Sequence, residues 1–133
     1  MIKFNKNIII TFLGPDGSGK TTLIKKVEKH LLLKKINVSI FHLKPFFFKN
    51  INTKIVNNPH NQIPRSKLFS FMKLCYWLLL YNFFFLISFI RPRKIYLFDR
   101  YADDILIDPI RYRINLDKKL TTFILNLFPR PDL

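Results

Sequence analysis

Three short apolar runs alternate along the chain with stretches of helical spacing, and each run stops where glycine, proline or charge takes over. Asn7 to Leu13 (NIIITFL) is β-branched and ends at Gly14, the pattern of a strand buried on both faces. Lys20 to Lys35 reads as a helix, with Leu23, Val27, His30 and Leu31 on one face and Lys25, Lys26 and Lys29 on the other. Asn37 to Leu43 (NVSIFHL) predicts a second strand with looser alternation, and Lys94 to Asp99 (KIYLFD) a third. Ser66 to Ile90 predicts a long apolar helix closed by Arg91-Pro92, and Asp117 caps a last helix over Lys118 to Leu127. Between Lys44 and Ser66, Pro45, Pro59, Pro64 and five asparagines predict a long loop around a Phe46 to Phe48 anchor. Alternating strands and helices predict one α/β domain over residues 1–133, with a parallel sheet, right-handed crossovers and helices on both faces.

The joint between the first strand and the first helix carries the chemistry. Gly14-Pro15-Asp16-Gly17-Ser18-Gly19-Lys20-Thr21 matches GxxxxGK[ST] residue for residue, directly after a strand and directly before a helix. Glycines at 14, 17 and 19 let the backbone curl so that successive N–H groups, Ser18's among them, face inward as an anion nest at a helix N-terminus. Lys20 then reaches the β and γ phosphates of a nucleotide, Thr21 can place its hydroxyl on Mg²⁺, and Thr22 is next in line for the α phosphate. Asp99 ends the third strand, where ligands gather in open α/β sheets, and can hold a magnesium-bound water beside Thr21. Arg100 follows as a bidentate phosphate clamp. The bland alternatives are a glycine-rich turn that merely caps a helix and an Asp99–Arg100 ion pair at a helix start.

Composition narrows the field. The chain has 133 residues, is 49% hydrophobic and 16% aromatic, and carries a formal charge of +15. Such apolar content excludes disorder as a description of the whole, and the single cysteine, Cys75, excludes an internal disulfide framework, which points to a reduced, cytoplasmic setting. Residues 1 to 98 hold 17 Lys+Arg against two acids, Asp16 and Glu28, whereas residues 99 to 133 hold six of each. The field of the first three quarters attracts nucleotides, nucleic acid or anionic lipid without selecting among them. Leu74 to Ile90 runs 17 residues without a charge, the lower limit for a membrane span. Basic residues flank both ends, and a crossing would part the glycine loop from Asp99, so the reading is a core helix.

FLGPDGSGKTT (Phe12 to Thr22), the triplet Asp99-Arg100-Tyr101 and the late Pro131-Asp132-Leu133 resemble the thymidylate kinase family of P-loop nucleoside monophosphate kinases. The stretch Asp99 to Arg113, with His42 to Pro45 and Pro64 to Leu68, looks closest to the thymidylate-kinase-like proteins of surface-polysaccharide gene clusters. The resemblance implies a three-layer α/β/α P-loop NTPase-type fold and phosphoryl transfer from ATP, with Mg²⁺, to a nucleoside monophosphate. It implies donor contacts from Gly14 to Thr22 and acceptor contacts from Asp16, Lys44, Arg100 and Tyr101, with Lys20, Asp99 and Arg100 serving the transfer and Thr21 and Asp99 the metal. It also implies strand order 2-3-1-4-5, of which this chain supplies 2, 3 and 1. On that resemblance the last strands and the lid are expected to be lacking and the first strand to be left as an edge, and the chain alone is expected to bind nucleotide weakly and turn over slowly. Asp104 to Pro109 (DILIDP) departs from the family's thymine-seating segment, so the acceptor base stays open.

Other residues read more plainly. Asp103 and Asp104 are expected as helix-dipole partners, and Arg111 and Arg113 either touch the acceptor or pair with those aspartates. His30, His42 and His60 lack ligand spacing with Cys75; no zinc site is expected, and His30 and His42 read as packing or strand residues. Tyr76, Trp77 and Phe83 to Phe85 read as core or as the interface of a homodimer through the helix Ser66 to Ile90. The competing functions are a nucleotide-binding protein without turnover and a basic protein bound to a membrane surface or to nucleic acid.

Overall fold

The computed structural model describes residues 6–15, 17–43, 63–90 and 93–133. Asp16, Lys44, the Phe46 to Phe48 anchor, His60 and Arg91-Pro92 lie outside them.

Strands β1 (Ile8–Phe12), β2 (Val38–His42) and β3 (Ile95–Asp99) form a parallel sheet in the order β1-β3-β2. The fold is mixed α/β. Ile8 and Val38 both pair with Ile95, and Phe12 and His42 both pair with Asp99, so the three carboxyl ends finish level. The central strand is the most buried of the three, as a place between two neighbours and two helical layers requires.

Alternation along the strands divides the core. Ile95 and Leu97 face α1 (Lys20–Leu33), meeting Ile24, Val27 and Leu31. Tyr96 and Phe98 face the other way, into a larger cluster with α2 (Lys67–Ile90) and α4 (Lys118–Leu125). The buried stripe of α1 is Ile24, Val27 and Leu31, not one begun at Leu23, which is exposed along with His30. Val27 and Leu31 lie where the sequence pattern placed them; only the start of the stripe moves, from Leu23 to Ile24, one turn beyond Lys20, which folds back onto the glycine loop.

The long helix α2 has two seams of heptad-like spacing. Ser70, Leu74, Trp77, Tyr81, Phe84 and Ser88 are buried, and Phe84 and Tyr81 meet Phe98 at ring-centroid distances of 5.9 and 6.1 Å. Phe69, Met72, Tyr76, Leu79, Phe83, Leu86 and Ile90 lie on exposed positions. By composition α2 is long and apolar enough to cross a membrane; here one face is spent on the sheet. The homodimer expectation concerns the other face. Leu74→Ala is expected to cost about 2–5 kcal/mol and Leu79→Ala within about 0.5 kcal/mol, as denaturant titration will show, because only the first empties a packed site.

The β1 edge, expected to be bare, is partly covered. Leu133 donates its N–H to Ile9 O at 3.2 Å and accepts from Thr11 N at 2.8 Å, the bonding of a parallel ladder opposite Ile10. Asp132 accepts from Ile9 N at 3.0 Å and pairs with Lys6. Burial alone would raise the Asp132 pKa, but the Lys6 hydrogen bond, the Ile9 N–H and the Lys6 charge together bring it below its ordinary 3.8. A carboxylate lowered on folding stabilises above its unfolded pKa and loses that contribution as pH falls through the folded value. Protection of the Thr11 and Leu133 amides is therefore expected to fall on acidification below about pH 4 while the β3 amides hold, and Asp132→Asn to flatten that dependence.

Candidate functional site

The level carboxyl ends of the strands bring the glycine loop, His42 and Asp99 into one place. The loop leaves β1 through Gly14, whose φ of 147° lies where side-chain-bearing residues are strained, and a Cβ there would come within 3.3 Å of Ser18 Oγ. Gly19 caps α1 in the left-handed region, with φ 79°, and no acidic side chain occupies the helix's first turn. The unpaired amides at that end are thus left for an anion. Lys20 Nζ folds back over the loop, donating to Gly14 O at 2.8 Å, to Pro15 O and to Ser18 Oγ at 3.2 Å. These neutral carbonyls hold the ammonium at the loop's mouth.

A cleft of about 350 Å³ opens beside the loop, lined by Gly17, Gly19, Lys20, Thr21, Thr22, His42, Asp99, Arg100 and Arg111. In its wall Asp99 Oδ1 is buried with no hydrogen-bond partner, while Oδ2 lies 3.4 Å from His42 Nδ1. An orphaned carboxylate oxygen on a residue that lines one cleft with Thr21 fits a hard cation or its bound water. Among the described residues no three His, Cys, Asp or Glu cluster as a metal site. A magnesium ion here would therefore draw its remaining ligands from phosphate oxygens and water.

Arg100 sits in the left-handed region with φ 76°, its N–H bonded to Phe12 O at 3.1 Å. That strained turn sends its side chain inward, where the guanidinium is 6% exposed and its Nη1 donates to Asp104 Oδ2. Tyr112 OH donates to the same oxygen. Burial raises the Tyr112 pKa, the Asp104 hydrogen bond and charge add to the rise, and Arg100 opposes it, so the phenol stays a neutral donor. A second cleft, about 580 Å³, adjoins the first and is lined by Gly14, Pro15, Arg100, Asp104, Ile107, Asp108 and Arg111.

Gly14, Gly17, Gly19, Lys20, Thr21, Thr22, Asp99 and Arg100 line one or both clefts, and Ser18 touches Lys20 at the loop. Asp16 and Lys44 fall outside the described residues. Tyr101, expected against the acceptor, is a core residue instead. It is 2% exposed, packs edge-on to Tyr81 at 4.9 Å and Phe98 at 5.4 Å, and donates its hydroxyl to Pro129 O. The turn at Arg100 reverses the side chain that follows it. Asp104 is more than a helix-dipole partner, being 3% exposed and committed to Arg100 and Tyr112, whereas Asp103 is exposed. Arg113 is held by Ile63 O at 2.9 Å, while Arg111 reaches both clefts.

His42 and Tyr112 were not expected at the site. His42 is the strand residue it was read as, ending β2 at an exposed position, and its cross-strand register with Asp99 was the available signal for a place at the site. Tyr112 lies eight residues beyond Asp104, a distance bridged only by the fold. No family model, curated protein or solved structure matches the chain.

Proposed function

We propose that the chain is a nucleotide-binding module of P-loop NTPase type, similar to the thymidylate kinases, that transfers a phosphoryl group from ATP to a nucleoside monophosphate. The observation that carries this reading is the glycine loop and the capless start of α1 meeting Asp99, with its orphaned oxygen, in one cleft. The donor's phosphates fit the loop amides and Lys20, which exchanges the carbonyls of Gly14 and Pro15 for phosphate oxygens. Thr21 and Asp99 would hold Mg²⁺, which when bound neutralises donor charge. The adjoining cleft suits the acceptor, with Arg100 fixed by Asp104 as its phosphate clamp. No covalent intermediate is needed, since such transfer rests on positioning and charge neutralisation.

The test is label transfer from γ-labelled MgATP to a panel of nucleoside monophosphates, dTMP first. Slow formation of labelled diphosphate with at least one acceptor is expected. Nucleotide binding without transfer to any acceptor would leave a binding module and refute the kinase.

A further inference from the structure

Among the described residues, Arg100 and Arg111 are the two that line both clefts, and they are placed by different means. The Arg100 guanidinium is buried and tied to Asp104. Arg111 sits half-buried on the turn after the short helix α3 (Asp104–Ile107). That turn is braced from both sides: Arg111 N donates to Asp108 Oδ1 at 3.1 Å, Arg113 N to Ile110 O at 2.8 Å and Ile114 N to Pro109 O at 2.9 Å. A cation is thereby presented at the junction between the cleft beside Lys20 and the cleft beside Gly14 and Asp104.

We infer that Arg111 is the clamp for the phosphate in transit, binding oxygens on both sides of the junction between donor and acceptor. The inference rests on the functional reading above. Two anionic groups brought together at that junction repel each other, and a guanidinium with parallel donors is the side chain that can contact both at once. Lys20 serves the donor end from the loop, and Arg100 serves the acceptor end from the core; the passage between them is left to Arg111. Such a cation counts most where charge shifts during transfer.

Adenosine 5′-tetraphosphate probes this without knowledge of the acceptor base, because its chain extends two phosphates beyond that of ADP. Calorimetric titration of both ligands with Mg²⁺ into the wild-type chain, Arg111→Gln and Arg111→Lys is the experiment, with thermal midpoints measured to confirm folding. The wild type is expected to prefer the tetraphosphate about tenfold, Arg111→Gln to bring that ratio near one, and Arg111→Lys to restore part of it. An unchanged ratio in a folded Arg111→Gln, or no preference in a wild type that binds ADP, overturns the inference and leaves the functional reading standing. A wild type that binds neither ligand overturns both.

Discussion

Asp104→Ala is expected to destabilise the fold by about 3–5 kcal/mol, the cost of leaving a buried charge without its partner. Arg100 is 5% exposed and its Nη1 is held by Asp104, while Tyr112 OH leans on the same carboxylate oxygen. Removing that oxygen strands a guanidinium and a phenol together, in a place where water enters poorly. Asp103→Ala, one residue away and exposed, is expected to stay within about 0.5 kcal/mol. Chemical denaturation of the two variants measures the contrast. The double substitution Arg100→Met with Asp104→Leu is expected to recover most of the loss, since a packed apolar pair can replace a buried ion pair. It would also remove the proposed phosphate clamp, so stability and acceptor binding should part company in that variant. Equal, small effects of Asp103→Ala and Asp104→Ala would mean that the ion pair does not organise this wall of the cleft.

Lys20→Ala carries the largest expected effect on binding, a loss on the order of 100-fold in MgADP affinity, about 2.7 kcal/mol. The ammonium is the cation within the glycine loop, and it hangs on the carbonyls of Gly14 and Pro15 and the hydroxyl of Ser18. Those contacts are local and partly exposed, so the variant should stay folded, which makes the binding loss readable. Lys20→Arg is not expected to rescue, because a planar fork cannot follow the short, three-way geometry of the ammonium inside the loop. Retention of affinity in Lys20→Ala would remove the loop from nucleotide recognition.

What was legible in the sequence was what local pattern determines. Glycines that need positive φ, an apolar run that stops at them and a helix that starts after them specify the loop and its place between β1 and α1 without help from the rest of the chain. The parallel sheet followed from alternation of strands and helices, whereas the central place of β3 was expected from the strand order that the resemblance implies, and the both-faces-buried pattern read in Ile8 to Phe12 belongs instead to Ile95 to Phe98. Tertiary geometry decided the rest. The left-handed turn at Arg100 is invisible in its residue type, and it is this turn that sends Arg100 to Asp104 and commits Tyr101 to the core beside Tyr81 and Phe98. His42 became a neighbour of Asp99 through strand register, a long-range property. The partial cover of the β1 edge by Asp132 and Leu133 comes from more than a hundred residues away along the chain.

The most direct test of nucleotide-phosphate recognition by the loop is calorimetric titration of MgATP into the wild-type chain at low and at high salt. With a formal charge of +15 the chain will attract any polyanion, so the salt series separates a formed site from a diffuse field. The account predicts one-to-one binding with a dissociation constant of ~10–100 µM that weakens only a few-fold at high salt. Binding that vanishes at high salt, or that inorganic tripolyphosphate reproduces with the same affinity and with several ligands per chain, would contradict it.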